Sequence, residues 1–389
     1  MLKTAPTRYG RADRSAFARW FWEIDRVLLL LLALLIVIGL IAVAAGSPAA
    51  AQRYSGPGLR FPELYFFYRQ VMWILASIPV MLLVSMLPKG MLARLCLVAT
   101  GLGLIALALV PIVGSEVNGA KRWLDLGVSR FQPSEFMKPA FVVALAWIFT
   151  RKWSFAVRTA VSGGLTGVTA ILLMRQPDFG TTVIFAASWA ALFALAGARV
   201  KLVAALGVAG IVGIVAAYFL YPVATARIDG FLFGEGDNFQ TTRAMATLTA
   251  GGIFGKGPGA GTMKFNLPEP HTDYIFSVIG EEFGLIACLA IAILYMLIIG
   301  RVLIKLLDEE QPLAILAAAG LALQFGLQAF INMAVNVQIA PSKGMTLPFI
   351  SYGGSSMLAL SLGMGLLLAF RRRNPYLNRS PYVVRWSGT

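Results

Sequence analysis

Runs of about 17 to 25 consecutive apolar residues, each long enough to cross a hydrocarbon core of roughly 30 Å, recur along this chain from residue 27 to residue 370. No other feature narrows the fold as much. Inside lipid every backbone N–H and C=O must find a partner within the protein, and runs of this length do so as helices. Composition agrees: the chain is 58% apolar and 13% charged, with mean hydropathy +0.76. Soluble domains lie nearer one half apolar and one quarter charged. The expected fold is all-α, a polytopic membrane helix bundle of about ten transmembrane helices. The spans are expected at roughly 27–45, 71–87, 91–113, 134–150, 157–174, 181–197, 201–221, 274–300, 312–337 and 346–370. The fourth contains Glu135 and Lys138, and the fifth contains Arg158. One membrane domain is expected over 27–370, between basic tails at 1–26 and 371–389. Ser47-Pro48-Ala49-Ala50-Ala51-Gln52 resembles a signal cleavage site. The apolar run from Arg26 to Ala45 is longer than a signal's apolar region, so this first span is read as uncleaved.

A net charge of +15 would suggest nucleic acid in a soluble protein. Here the basic residues crowd the segments between spans, so no nucleic-acid partner is expected. Ten spans put both termini on one side. That side then carries 20 Lys and Arg and the other 12, with Lys138 inside a span completing the 33. The excess sets both termini in the cytoplasm. One long extracytoplasmic loop, 222–273, follows from this layout, and loops of that length are often functional. Its glycines from Gly255 to Gly261 fit either a phosphate cradle or a flexible turn, and the turn reading is preferred because no strand precedes them. Cys96 and Cys288 each sit inside an apolar run, without metal or disulfide spacing. The chain has neither a sequence repeat nor an inverted pair of interrupted spans, which argues against a secondary transporter.

Three polar constellations interrupt this apolar background. The first is Leu267-Pro268-Glu269-Pro270-His271-Thr272-Asp273-Tyr274, which holds the chain's one histidine at the mouth of the eighth span. Ionisable groups at such a place are functional by default. The prolines suit a helix start, which would place Asp273 in the first helical turn with Ser277, Gly280 and Gly284 on its face. That small face would line a cavity, and the helix dipole would keep Asp273 ionised. Glu281 and Glu282 follow deeper in the span and need partners, with Glu282 pointing away from Asp273. The second runs from Gly119 to Lys138 and includes Lys121, Arg122, Trp123, Arg130 and the i, i+3 pair Glu135 and Lys138. Trp123 suits the headgroup level, with the cations available to phosphates. The third is a stripe of Gln324, Gln328, Asn332 and Asn336 on one helix face, over about 18 Å. It serves either interhelical hydrogen bonding or a polar cavity. Near its end Pro348 and Gly353-Gly354 are expected to break or bend the tenth span. Together these features describe a site for an amphiphile with an anionic head and an apolar tail.

The motifs resemble the SEDS family (shape, elongation, division, sporulation) over residues 110 to 373. They are Asn118-Gly119-Ala120-Lys121-Arg122-Trp123, Gln132-Pro133-Ser134-Glu135, Gln176-Pro177-Asp178-Phe179-Gly180-Thr181, Ile350-Ser351-Tyr352-Gly353-Gly354-Ser355-Ser356 and the block ending in Tyr274. Thr346 and Lys138-Pro139-Ala140-Phe141 look more like the division branch than the elongation branch. The resemblance implies a peptidoglycan glycosyltransferase of the cytoplasmic (inner) membrane, acting at the division septum. Its substrate would be lipid II, a disaccharide-pentapeptide on undecaprenyl diphosphate, polymerised at the outer face. Asp273 matches the family's essential aspartate, implied to activate the acceptor hydroxyl for an inverting attack. Glu135 and Lys138 match residues around the central cavity. Arg122, Trp123, Arg130, Arg243, Glu269, His271, Asn332, Lys343 and Ser351 complete the expected substrate contacts. No cofactor is assigned. The diphosphate leaving group implies stabilisation by side-chain cations or by a divalent cation, for which no ligand set is identified. Implied partners are a class B penicillin-binding transpeptidase packed near spans eight and nine, with Glu282 facing it, other division proteins and membrane lipid. The alternatives are a lipid II flippase, an elongation-type polymerase and a recruiting scaffold.

Overall fold

The computed structural model of the chain describes residues 16–56, 58–117, 120–125, 130–233, 239–341 and 344–372. Its elements, in order, are α1 (Ala16–Glu23), α2 (Arg26–Tyr54), α3 (Tyr65–Met86), α4 (Lys89–Val113), β1 (Ser115–Val117), β2 (Ala120–Asp125), β3 (Arg130–Phe131), α5 (Pro133–Phe149), α6 (Phe155–Met174), α7 (Phe179–Leu195), α8 (Val200–Leu220), α9 (Pro222–Phe233), α10 (Phe239–Ala250), a 3-10 turn (Met263–Asn266), α11 (Ile275–Leu306), α12 (Pro312–Asn336) and α13 (Gly354–Arg371). Eight of the described helices are long and apolar enough to cross a membrane. The other two expected spans are α5 and α7, each of 17 residues, which is at the short end of the spanning range.

Burial sorts these helices. In α5, 14 of 17 residues are buried, and it packs on α4, α7, α12 and α13. It is the central helix, which is how a span can carry Glu135 and Lys138. At the other extreme, α8 has no buried residue and stands at the rim. The apolar centre is filled by Phe141, Phe149, Phe185, Phe349 and Phe370.

Two features went beyond the sequence reading. Strands β1, β2 and β3 pair as a small antiparallel sheet, a meander in the order β1-β2-β3, between α4 and α5. The expected long loop 222–273 instead carries the 12-residue helices α9 and α10 and the 3-10 turn. Its polar helices lack the apolar runs that made the spans visible.

The eighth span is broken. At Gly284 (φ 80°, ψ 179°) α11 leaves helical geometry, so residues 275–283 form a separate half-helix. The glycine-rich segment satisfies the freed backbone. Lys256 N and Gly257 N donate to the carbonyls of Glu281 and Glu282 at 2.9 and 3.0 Å, and Leu285 N and Ile286 N donate to Gly252 O and Ile253 O at 3.0 and 3.3 Å. The same segment cradles an anion, and that anion is Glu281. Its Oε1 accepts from Thr262 N and Met263 N at 2.8 Å, and its Oε2 from Lys264 N at 2.9 Å. Glu282 is buried against Lys264 Nζ, which also reaches Ala45 O of α2 at 2.9 Å. This corrects the placement of Glu282 toward a partner protein: its charge is met within the chain.

At the end of the bundle away from the meander, Asp25 joins three helices. It caps α2 at Leu28 N (3.1 Å) and pairs with Arg301 of α11 at 2.7 Å and Arg371 of α13 at 2.9 Å.

Candidate active site

The site is built on the turn from Pro268 to Tyr274, at the meander end. Glu269 has a positive φ of 50°, a left-handed conformation that is costly for a side chain. The turn keeps it because the Glu269 carbonyl collects Thr272 N and Tyr274 N, both at 3.3 Å. The side chain of Glu269 is engaged at both oxygens. Tyr54, the last residue of α2, donates its hydroxyl to Oε1, and Thr272 Oγ1 donates to Oε2 at 3.1 Å.

Asp273 follows, held by its backbone. Its carbonyl accepts Asn332 Nδ2 at 2.9 Å and Asn336 Nδ2 at 3.1 Å. Asn336 Oδ1 in turn takes Ser277 N and Oγ at 3.1 and 2.7 Å. Thus the lower half of the α12 stripe holds the turn and the half-helix together. The other strap is residues 345–352: Ser351 Oγ donates to Thr272 O at 2.6 Å, Tyr352 N to His271 O at 2.8 Å, and Asn332 Nδ2 to Met345 O at 2.5 Å. Tyr295 of α11 fixes that strap from below through Pro348 O at 2.5 Å. Consequently α13 begins at Gly354, well after the expected start of the span at 346.

Among the described residues, no hydrogen bond reaches the Asp273 carboxylate. Gly344 lies against it so closely that a Cβ there would sit 3.0 Å from Oδ2. Burial pushes the Asp273 pKa up to about 7, with the Glu269 charge adding to the rise and Arg122 opposing it. Two expectations are corrected here. Asp273 precedes the helix, whose N-cap is Tyr274, so it gains little from the dipole, which acts over the first turn. It is therefore not held firmly ionised: desolvation and a like charge outweigh the dipole. The small face beyond it is packed against protein among the described residues. Gly280 is packed on Leu248 of α10, and Gly284 on Ile253 and Gly255.

His271 is buried among Phe66, Tyr352 and Tyr54, with ring centroids 4.3, 5.2 and 5.9 Å away. Burial drives its pKa down to about 4, against the pull of Glu269, so its ring is neutral at physiological pH. It acts as an aromatic wedge under the turn.

A polar chain leads from the strap to the bundle centre. Thr346 Oγ1 lies 2.9 Å from Ser356 Oγ. Gln328 Nε2 donates to Thr346 O at 3.1 Å, and its Oε1 accepts from Lys138 Nζ at 2.9 Å. Lys138 completes its pairing with Glu135 Oε1 at 2.8 Å. Glu135, Lys138, Gln324 and Gln328 line a cleft with Phe325 and Gly363. The cleft does not include Asp273. The upper stripe therefore borders a cavity while the lower stripe makes hydrogen bonds, so both readings of it hold, at different depths.

From the meander, Arg122 binds Gln176 O through Nε at 3.2 Å and Pro177 O through Nη2. This latches β2 to the turn that starts α7, where Asp178 caps Thr181 N at 3.2 Å. Trp123 sits half-buried on the same strand. Arg243 of α10 donates to Asn266 O at 2.7 Å, bracing the 3-10 turn. Arg130 contributes backbone to β3, and its side chain, like Lys343, lies outside the described residues. The structure thus gathers Glu269, His271, Asp273, Asn332 and Ser351 in one place, with Arg122 in electrostatic reach. Glu135 and Lys138 lie deeper, joined through Gln328. Sequence reasoning missed Tyr54 and Phe66, which carry no motif of their own, and gave Thr272, inside the first constellation, no role.

Residues 25–376 match the family of cell cycle proteins that groups FtsW, RodA and SpoVE. The chain belongs to this family. The FtsW/RodA/SpoVE assignment is supported by relatives along nearly the whole length. A probable peptidoglycan glycosyltransferase FtsW of Caulobacter vibrioides is 40% identical over 379 residues, covering 96% of each chain. One from Halorhodospira halophila is 36% identical, covering 92% of this chain and 93% of its own. Among solved structures, a chain from a peptidoglycan synthase complex that coordinates polymerization and crosslinking matches with TM-score 0.74 at 27% identity. It covers 90% of this chain and 98% of that one. The rod shape determining protein RodA of Thermus thermophilus matches with TM-score 0.67 at 27% identity, covering 90% and 97%. With its apolar helices and this family, the chain is an integral membrane protein.

Proposed function

We propose that this chain is a peptidoglycan glycosyltransferase of the division type that polymerises lipid II at the outer face of the cytoplasmic membrane. The observation that carries this reading is Asp273: a carboxylate fixed by its backbone, unengaged at its oxygens among the described residues, with a pKa of about 7, in a chain whose relatives bear that name. Strongly perturbed groups of this kind cluster at functional sites.

The chemistry follows from that carboxylate. Ionised Asp273 takes the proton of the acceptor 4-hydroxyl as the oxygen attacks C1 of the donor sugar. The C1–O bond to the lipid diphosphate breaks with inversion, and the electron pair leaves on the diphosphate. This leaving group needs no proton, so one base suffices, unlike the paired carboxylates of glycosidases. A base poised near the working pH combines availability with strength. Among the described residues no three Asp, Glu, His or Cys side chains are grouped so that they could hold a metal ion. Arg122, Arg130, Lys138 and Lys343 are the cations assigned to the substrate's phosphates, and Trp123 to its headgroup level. Glu135 pairs with Lys138 at 2.8 Å. Asn332, Ser351 and His271 hold the turn.

The working unit is residues 27–370, with both termini in the cytoplasm and the Asp273 end outside. A class B penicillin-binding transpeptidase is its partner at the septum, beside other division proteins. The test is lipid II polymerisation by the purified complex with that transpeptidase. Wild type should make glycan and Asp273→Ala none, at equal abundance and with both variants folded. Normal polymer from Asp273→Ala would end this reading.

A further inference from the structure

We propose that Tyr54, at the end of the first membrane span, is a positioning residue for Asp273 that acts through Glu269. The proposal rests on the polymerase reading and adds to its machinery a helix that carries none of the family's motif residues.

Three observations carry it. First, both carboxylate oxygens of Glu269 are already engaged, by Tyr54 and Thr272, so Glu269 is built into the site rather than offered to a ligand. A hydrogen bond to a carboxylate is of the stronger kind and orients it. Second, Glu269 holds a left-handed φ of 50° whose return is the pair of bonds from Thr272 N and Tyr274 N. Those bonds form the turn that presents Asp273. Backbone strain of this sort persists where surrounding contacts over-determine it. Here α2 supplies those contacts, since Arg53 also reaches Leu267 O at 3.5 Å and the Tyr54 ring packs at 5.7 Å on Phe66. Third, Tyr54 is 46% exposed. It stands at the rim of the site, where a bound headgroup would cover the pair.

The electrostatic consequence is direct. A carboxylate fixed beside a second carboxylate makes that second one hold its proton more tightly. Among the described residues, the groups facing Asp273 are Glu269 and neutral His271 from its own turn, Tyr54 from α2, Arg122 from β2, Gly344 just before the strap, and uncharged Asn332 and Asn336 from α12. Among these, Glu269 raises the basicity of Asp273 and Arg122 lowers it. Tyr54, by fixing Glu269, keeps that balance in place.

The experiment compares Glu269→Gln, Tyr54→Phe and the double variant in the purified complex. The readout is the acid limb of the pH–rate profile for lipid II polymerisation, together with the carboxylic C=O infrared band assigned to Asp273 by subtraction of Asp273→Asn. Tyr54→Phe keeps the ring against Phe66 and His271 and removes only the hydroxyl. Glu269→Gln should move both readouts to lower pH by about one unit, as expected for loss of a near like charge. Tyr54→Phe should move them the same way by less, and should add nothing when Glu269→Gln is already present. Unmoved infrared and kinetic limbs in Glu269→Gln would overturn the proposal, as would a Tyr54→Phe shift that persists undiminished in the double variant. The infrared titration does not depend on turnover. Retained polymerisation by Asp273→Asn would sink the reading of Asp273 as the polymerase's base while leaving the positioning result legible.

Discussion

Asp273 shows how one residue is made available at a cost to the fold. Its carbonyl is tied down by two asparagines, yet its carboxylate sits where burial and Glu269 lift its pKa from 3.8 to about 7. Between those values the folded protein binds a proton that the unfolded chain does not. Stability contributed by this group is therefore complete below about pH 4, declines as pH rises toward 7, and is constant above. Asp273→Asn removes that dependence. In thermal melts it should exceed wild type at pH 8 by on the order of 1–3 kcal/mol, a usual trade between function and stability. The gap should close as pH falls toward 4, and equal melting at pH 8 would contradict the assignment. The sequence made Asp273 conspicuous but pointed to a lowered pKa, where burial raises it. The dipole argument needed Asp273 inside the first helical turn, and the left-handed Glu269 puts it one step earlier. Tyr54 was invisible for a different reason: its partner lies 215 residues away, and only the packing of α2 brings them together.

At the scale of elements, the broken α11 is the least expected part. Gly284 reads in sequence as one small residue on a small face. Its φ of 80°, and the Ile253 carbonyl that stands where a Cβ would need room, make it the point where the glycine-rich segment enters the span. Interrupted backbone at membrane depth survives only where protein satisfies it, and here residues 252–257 do so. Gly284→Ala should destabilise the protein by about 2–4 kcal/mol, combining backbone strain with overpacking. Melting of the purified variant measures this, and a change below about 0.5 kcal/mol would mean the segment does not brace the break. The paired carboxylates Glu281 and Glu282 were legible as needing partners. Their partners, Lys256 and Lys264, were not, because a glycine-rich turn carries no periodic signal.

For the whole molecule, each of the ten apolar runs falls on a helix, eight of them long and apolar enough to cross a membrane, because a bilayer leaves the chain so few choices. Boundaries drifted where polar chemistry decides them, as at α13. The meander and α9–α10 escaped because they owe their form to tertiary packing. Orientation rests on the Lys and Arg bias and is open to direct measurement. With Cys96 and Cys288 replaced, a single cysteine at Ser154 should be labelled by an impermeant reagent only after the membrane is opened. One at Thr262 should be labelled in intact spheroplasts. The reverse pattern would invert the topology.

The role proposed for Asp273 is that of a base poised near neutrality. It is tested most directly by the initial rate of lipid II polymerisation across the neutral range, for wild type and Asp273→Asn in complex with the transpeptidase. The wild-type rate should rise through an apparent pKa of about 7, and Asp273→Asn should give no glycan at any pH. A wild-type rate flat across this range, or polymer from Asp273→Asn with the wild-type profile, would contradict it.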